Sequence, residues 1–81
     1  HLYYPDFVAV LQMPDKSKLN LIIEVTGQKD DKKALKVKTA KEFWVPSVNN
    51  AGKYGKWAML EIEDIHETQR LIREGMKKGF E

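Results

Sequence analysis

Apolar positions along this chain alternate between two spacings, and each shift marks the edge of an expected element. Phe7 to Gln12 (FVAVLQ) is rich in β-formers and reads as a strand. Met13-Pro14-Asp15-Lys16-Ser17-Lys18 interrupts the apolar run with turn residues. Leu19 to Val25 (LNLIIEV) is apolar enough for a strand in the middle of a sheet, and Gly27 ends it. These two strands should pair as an antiparallel hairpin. From Asp30 and Asp31, both able to cap, the spacing becomes helical. Val37, Ala40 and Trp44 share one face of a helix expected to end near Trp44. Pro46 should close it, because the residue before a proline avoids the α region.

Asn49-Asn50-Ala51-Gly52 and Gly55 read as a loop, and Trp57 to Glu63 (WAMLEIE) alternates as a third strand. Asp64 followed by Glu67 is a capping-box pattern. It opens a second helix ending near Lys78, with Ile65, Leu71, Ile72 and Met76 inward. The order β-β-α-β-α predicts one small α/β domain over residues 1–81.

Composition narrows the class. The absence of cysteine excludes disulfides, thiolate zinc sites and cysteine nucleophiles, and suits a reducing cytoplasm. The longest apolar stretch, Leu19 to Val25, is far short of the ~20 residues that cross a bilayer, so no membrane partner is expected. The chain opens on His1 rather than Met, which suggests a fragment of something longer. Net charge is only +2, but it is unevenly spread. Residues 29–56 hold eight lysines against three acids, while both flanks are net acidic. A basic middle is the footprint of a phosphate-binding face, or simply a solvated lysine-rich helix.

The candidate chemistry lies in the hairpin. Folded symmetrically about Asp15, it pairs residues whose numbers add to 30, and Asp6 with Glu24 is such a pair. Opposed residues of an antiparallel pair share a face, so two carboxylates would stand side by side at the open end. Two close carboxylates repel, and a hard divalent cation such as Mg²⁺ resolves the repulsion. A bound metal could then lower the pKa of a water and stabilise charge on a phosphodiester. The competing reading is that Asp6 caps a turn and Glu24 pairs with a lysine.

The words around the pair carry a resemblance. Tyr4-Pro5-Asp6-Phe7, followed by a strand ending Ile23-Glu24-Val25-Thr26-Gly27, resembles the signature of PD-(D/E)XK nucleases. The stretches Trp44-Val45-Pro46-Ser47-Val48-Asn49-Asn50 and Gly52-Lys53-Tyr54-Gly55-Lys56-Trp57 resemble the nuclease end of type III-like restriction subunits. The resemblance implies a small restriction-endonuclease-like core lacking its N-terminal helix and strand, acting on DNA in a bacterial restriction system. It also implies an ATP-dependent helicase motor elsewhere in the parent chain and a modification subunit as a possible partner. Asp6 and Glu24 would be the metal-binding carboxylates, with the backbone carbonyl of Val25 as a third ligand.

The lysine that the class carries two residues after the glutamate is Thr26 here. Lys36, one turn into the following helix, is the first choice to reach back into the site in its place, with Lys33 next. The alternative is a domain that has lost catalysis and kept a DNA-binding or docking role. Lys29, Lys53 and Lys56 are candidate DNA phosphate contacts. Trp44 and Trp57 are expected in the core, Asn49 and Asn50 in turn geometry, and Thr26 as a β-branched strand residue. No histidine pair stands at metal-ligand spacing, and no phosphate-cradling GxxxxGK[ST] loop or Gly-x-Ser-x-Gly elbow is present.

Overall fold

A computed structural model of the chain describes residues 5–26 and 31–80. It is a mixed α/β structure around a three-stranded sheet. Strand β1 spans Phe7–Gln12, β2 spans Lys18–Val25 and β3 spans Lys56–Ile62, in spatial order β1-β2-β3. β1 and β2 pair antiparallel, with Phe7 opposite Ile23 and Gln12 opposite Lys18, the register in which residue numbers add to 30. β3 runs parallel to β2, with Leu19 beside Lys56 and Val25 beside Ile62.

The hairpin turn closes through local hydrogen bonds. Met13 N–H donates to Ser17 O at 2.8 Å and Lys16 N–H to Met13 O at 2.9 Å. Asp15 Oδ1 accepts from the Ser17 N–H at 2.9 Å and from its hydroxyl at 2.5 Å. Those bonds hold the Asp15 carboxyl below its ordinary pKa.

Between β2 and β3 the chain crosses one face of the sheet as helix α1 (Asp31–Thr39), a π-helical turn (Ala40–Trp44) and helix α2 (Val45–Ala51). Pro46 therefore does not end the helix as expected. In a regular helix its missing N–H would leave the carbonyl four residues back without a donor, and its ring would clash there. The π turn removes that conflict: Val45 N–H donates to Ala40 O, five residues back, and Pro46 falls in the first turn of α2. The expected loop at Asn49–Ala51 is correspondingly helical, and the stop moves to Gly52, which adopts a left-handed φ of 70°.

After β3, a 3₁₀ turn (Ile65–Glu67) leads into helix α3 (Thr68–Lys78). The capping box does not form. Asp64 accepts from His66 N–H at 2.9 Å, but the Glu67 carboxylate turns outward to Arg70. Ile65, expected inward, is exposed because it sits in that turn rather than in the helix.

β2 supplies the centre of the core, and its alternation feeds two layers. Ile22 packs with Val37, Ala40 and Met59 on the α1 side, joined by Trp44, Val45 and Trp57. Leu21, Ile23 and Ile62 pack on the α3 side with Ala9, Leu11, Leu71, Ile72 and Phe80. Burial of a large aliphatic side chain is worth ~1.5–3 kcal/mol, so β2 carries much of the stability. Among the described residues, no helix is long and apolar enough to cross a membrane.

Candidate functional site

Glu24 lies two residues beyond Ile22, so the alternation that puts Ile22 against α1 also puts the Glu24 carboxylate there. It is fully buried. Asp6 lies one residue before the first residue of β1, at the place opposite Glu24 if the ladder is continued. The two acids meet at the open end of the hairpin, close enough for their carboxyl groups to interact.

Helix α1 delivers two lysines to this point. Lys33 Nζ donates to Glu24 Oε2 at 2.8 Å and also to Asp6 Oδ2, bridging the two carboxylates. Lys36, one turn later, holds its Nζ 3.6 Å from Glu24 Oε1 and 4.0 Å from Asp6 Oδ1. Three-residue spacing on a helix presents both to the same place. Lys33, the second choice from sequence, makes the closer contacts, and Lys36, the first choice, stands farther from both acids. The formal charges of the four groups cancel, which makes burial of Glu24 tolerable.

The electrostatics follow from these contacts. Hydrogen bonds from Lys33 and from the Val25 N–H lower the Asp6 pKa from 3.8 to about 2. Burial works to lower the Lys33 pKa and is its largest single influence. Its hydrogen bonds to Asp6 and Glu24 together outweigh that and raise it.

Val25 enters the site through its backbone. Its N–H donates to Asp6 Oδ2 at 3.0 Å. Because a strand residue directs its N–H and C=O to the same neighbour, the Val25 carbonyl faces the β1 side too. The residue opposite Val25 in the continued register is Pro5, which has no N–H to offer that carbonyl. Two carboxylates and one carbonyl are the hard oxygen donors that Mg²⁺ accepts alongside water and phosphate oxygens. The donor chemistry therefore fits the cation, although no group of three or more His, Cys, Asp or Glu side chains among the described residues is arranged to hold one.

Thr26 is buried, and its backbone N–H and hydroxyl both donate to Ile62 O, at 2.7 and 3.3 Å. It ties the end of β2 to β3, so the lysines at this site come from the helix.

Glu61, an acid the sequence pattern did not single out, sits beside Glu24 in the parallel register. Its carboxylate pairs with Lys41 at 3.2 Å. The alternation of β3 places Glu61 on the face of Met59, but its alignment with Glu24 depends on a parallel pairing that sequence does not fix. A cavity of about 310 Å³ opens here against Thr26, Lys33, Val37, Lys38, Lys41 and Glu61.

The other candidate contacts lie apart. Lys56 stands beside Leu19, five residues before Glu24 along β2, or ~17 Å at strand rise. Lys53 lies in the loop that leads to it. Those lysines do not form one seat with Asp6 and Glu24. Lys29 lies outside the described residues, as do Asp30 and the side chain of Asp31.

Trp44 and Trp57 pack edge to face, with ring centroids 5.2 Å apart, over the Ile22–Val37 cluster. Asn49, expected in a turn, instead pairs with the backbone of Trp57. Its Oδ1 accepts the Trp57 N–H at 2.8 Å, and its Nδ2 donates to the Trp57 carbonyl at 3.0 Å. Comparison with known proteins finds no matching family model, no matching curated protein and no matching solved structure.

Proposed function

We propose that the chain carries the metal-binding edge of a DNA endonuclease core of the restriction-endonuclease-like class, hydrolysing phosphodiester bonds with Mg²⁺. The observation that supports this most is the convergence of Asp6, Glu24, Lys33 and Lys36 at one end of the hairpin. In this reading Asp6 and Glu24 hold the cation, with the Val25 carbonyl beside them. Bound there, Mg²⁺ supplies a water of lowered pKa and charge stabilisation at the phosphate. Lys36 and Lys33 donate hydrogen bonds to the attacking water and to developing negative charge. The lysines of the α1–α2 crossing and of the loop before β3 give the DNA-facing side its positive field.

Lys56, ~17 Å from Glu24 along β2, would meet duplex DNA about five base pairs away, since the duplex rises ~3.4 Å per base pair along its axis, with Lys53 in the loop before it. The parent protein would couple this core to an ATP-dependent helicase motor and a modification subunit in the cytoplasm.

A second reading is a catalytically silent DNA-binding or docking module. It is favoured by Thr26, whose hydroxyl is engaged with Ile62 O instead of facing substrate. A Mn²⁺ titration of ¹⁵N-labelled protein separates the two. The nuclease reading expects broadening centred on Asp6, Glu24, Val25 and the start of α1, lost in Asp6→Ala and in Glu24→Ala. Diffuse broadening that ignores both substitutions would leave the binding module, whose DNA affinity should still fall steeply with salt.

A further inference from the structure

Lys33 stands at the boundary of two neighbouring places. On one side its ammonium bridges Asp6 Oδ2 and Glu24 Oε2, while Lys36 stands nearer the other oxygen of each acid. On the other side it lines the cavity of about 310 Å³ between α1 and β3. Two cations cannot hold the same pair of oxygens. A divalent ion that takes Asp6 Oδ2 and Glu24 Oε2, the oxygens the Lys33 ammonium now holds most closely, displaces that ammonium, whose long stem can reach elsewhere from the same backbone position.

The charge of the cavity makes that displacement consequential. Its charged walls are Lys33, Lys38, Lys41, Glu42 and Glu61. While Lys33 is bound to Asp6 and Glu24, the two remaining lysines face two glutamates, and Lys41 is itself paired with Glu61. Such a cavity has no net attraction for an anion. Released from its acids, Lys33 would leave it with one positive charge in excess. Val37 and Ala34 give part of it an apolar wall, as a sugar or base beside a phosphate would need.

We propose that Lys33 gates this cavity: a divalent cation at Asp6 and Glu24 frees the Lys33 ammonium, and the cavity then binds a phosphate group of a nucleic-acid strand. The proposal rests on the nuclease reading of the carboxylates and adds to it a phosphate seat and an order of events, cation first and phosphate second.

The test is linkage, measured by amide shifts with inorganic phosphate as the anion, with and without Mg²⁺. Phosphate should shift the amides of Ala34, Lys38, Lys41 and Glu61, and should bind at least ~5-fold tighter when Mg²⁺ is present, the lower end of ordinary coupling between sites. Lys33→Met should bind Mg²⁺ more tightly than the wild type and should abolish the coupling. Equal phosphate affinity with and without Mg²⁺ would overturn the gate, as would coupling that persists in Lys33→Met, since a direct metal–phosphate contact needs no lysine. If that variant fails to fold, the ¹⁵Nζ signal of Lys33 in the wild type decides: Mg²⁺ should shift it and speed its hydrogen exchange, and an unmoved signal overturns the proposal. Mg²⁺ binding at Asp6 and Glu24 without coupling removes the gate and keeps the nuclease reading. No Mg²⁺ binding in either protein removes both.

Discussion

The two faces of the sheet are built from one strand, yet they differ in kind. On the α3 side, β2 presents Leu21 and Ile23, and their partners are apolar. On the α1 side it presents Ile22 and then Glu24 and Thr26, all buried. The first face is held by volume alone. The second begins as core and ends as a charged cluster of two acids and two lysines, which costs desolvation that aliphatic side chains would avoid. The cluster sits at the end of the sheet where β1, β2 and the start of α1 meet. There four charged groups can be brought together without crossing the hydrophobic layer. What stabilises the fold and what could do chemistry are thus separated by two residues of one strand.

The largest expected effects test the apolar part of each face. Leu21→Ala and Ile22→Ala should each cost about 2–5 kcal/mol in chemical denaturation, because both side chains are fully buried. If the two faces differ sharply in these values, one layer is dispensable and the comparison fails. Next, Asn49→Ala removes both hydrogen bonds to the Trp57 backbone and should cost about 1–3 kcal/mol. A negligible loss would mean that apolar packing at Val45 and the adjoining Trp44–Trp57 contact suffices to hold α2 beside β3.

Glu24→Leu sharpens the contrast more than any other substitution. Because it removes one partner of a cluster whose lysines keep partial access to water, it should cost less than the ~3–5 kcal/mol of leaving a fully buried partner unpaired, while the divalent-ion binding proposed above is lost. Lys33 and Lys36 retain partial access to water and need not be buried unpaired in that variant. A large destabilisation would show that the cluster is structural.

The Asp6 pKa sets an acid limb. Because its folded value is lowered from 3.8 to about 2, its contribution is present above pH 3.8 and is lost as pH falls through about 2. Denaturant titrations across that window should lose part of their slope in Asp6→Asn. The smallest effect is expected on the far surface. Arg70 pairs with Glu67 and Glu74 in the open, where water screens the charges, so Arg70→Ala should leave the denaturation midpoint almost unchanged.

Much of the frame follows from local sequence, because strand alternation and turn chemistry act over a few residues. FVAVLQ and LNLIIEV specify β1 and β2, and the turn at Pro14 and Asp15 sets their register, so the meeting of Asp6 with Glu24 is legible in the sequence. Val37, Ala40 and Trp44 likewise announce the buried face of the crossing. Other features required the tertiary structure. The helix continues past Pro46 because a π turn shifts the hydrogen-bond frame, and no local propensity foretells that shift. Asn49 looks like a turn residue until β3 lies beside it. Glu61 aligns with Glu24 only through a parallel pairing of strands joined by a thirty-residue crossing. The sequence by itself determined which residues alternate, where the hairpin turns and which acids oppose each other, since those depend on near neighbours. The tertiary structure decided which lysine bridges the acids and what adjoins them. Those contacts depend on how α1 lies across the sheet, and that is set by packing at Ile22, Val37 and Met59 rather than by the charged residues themselves.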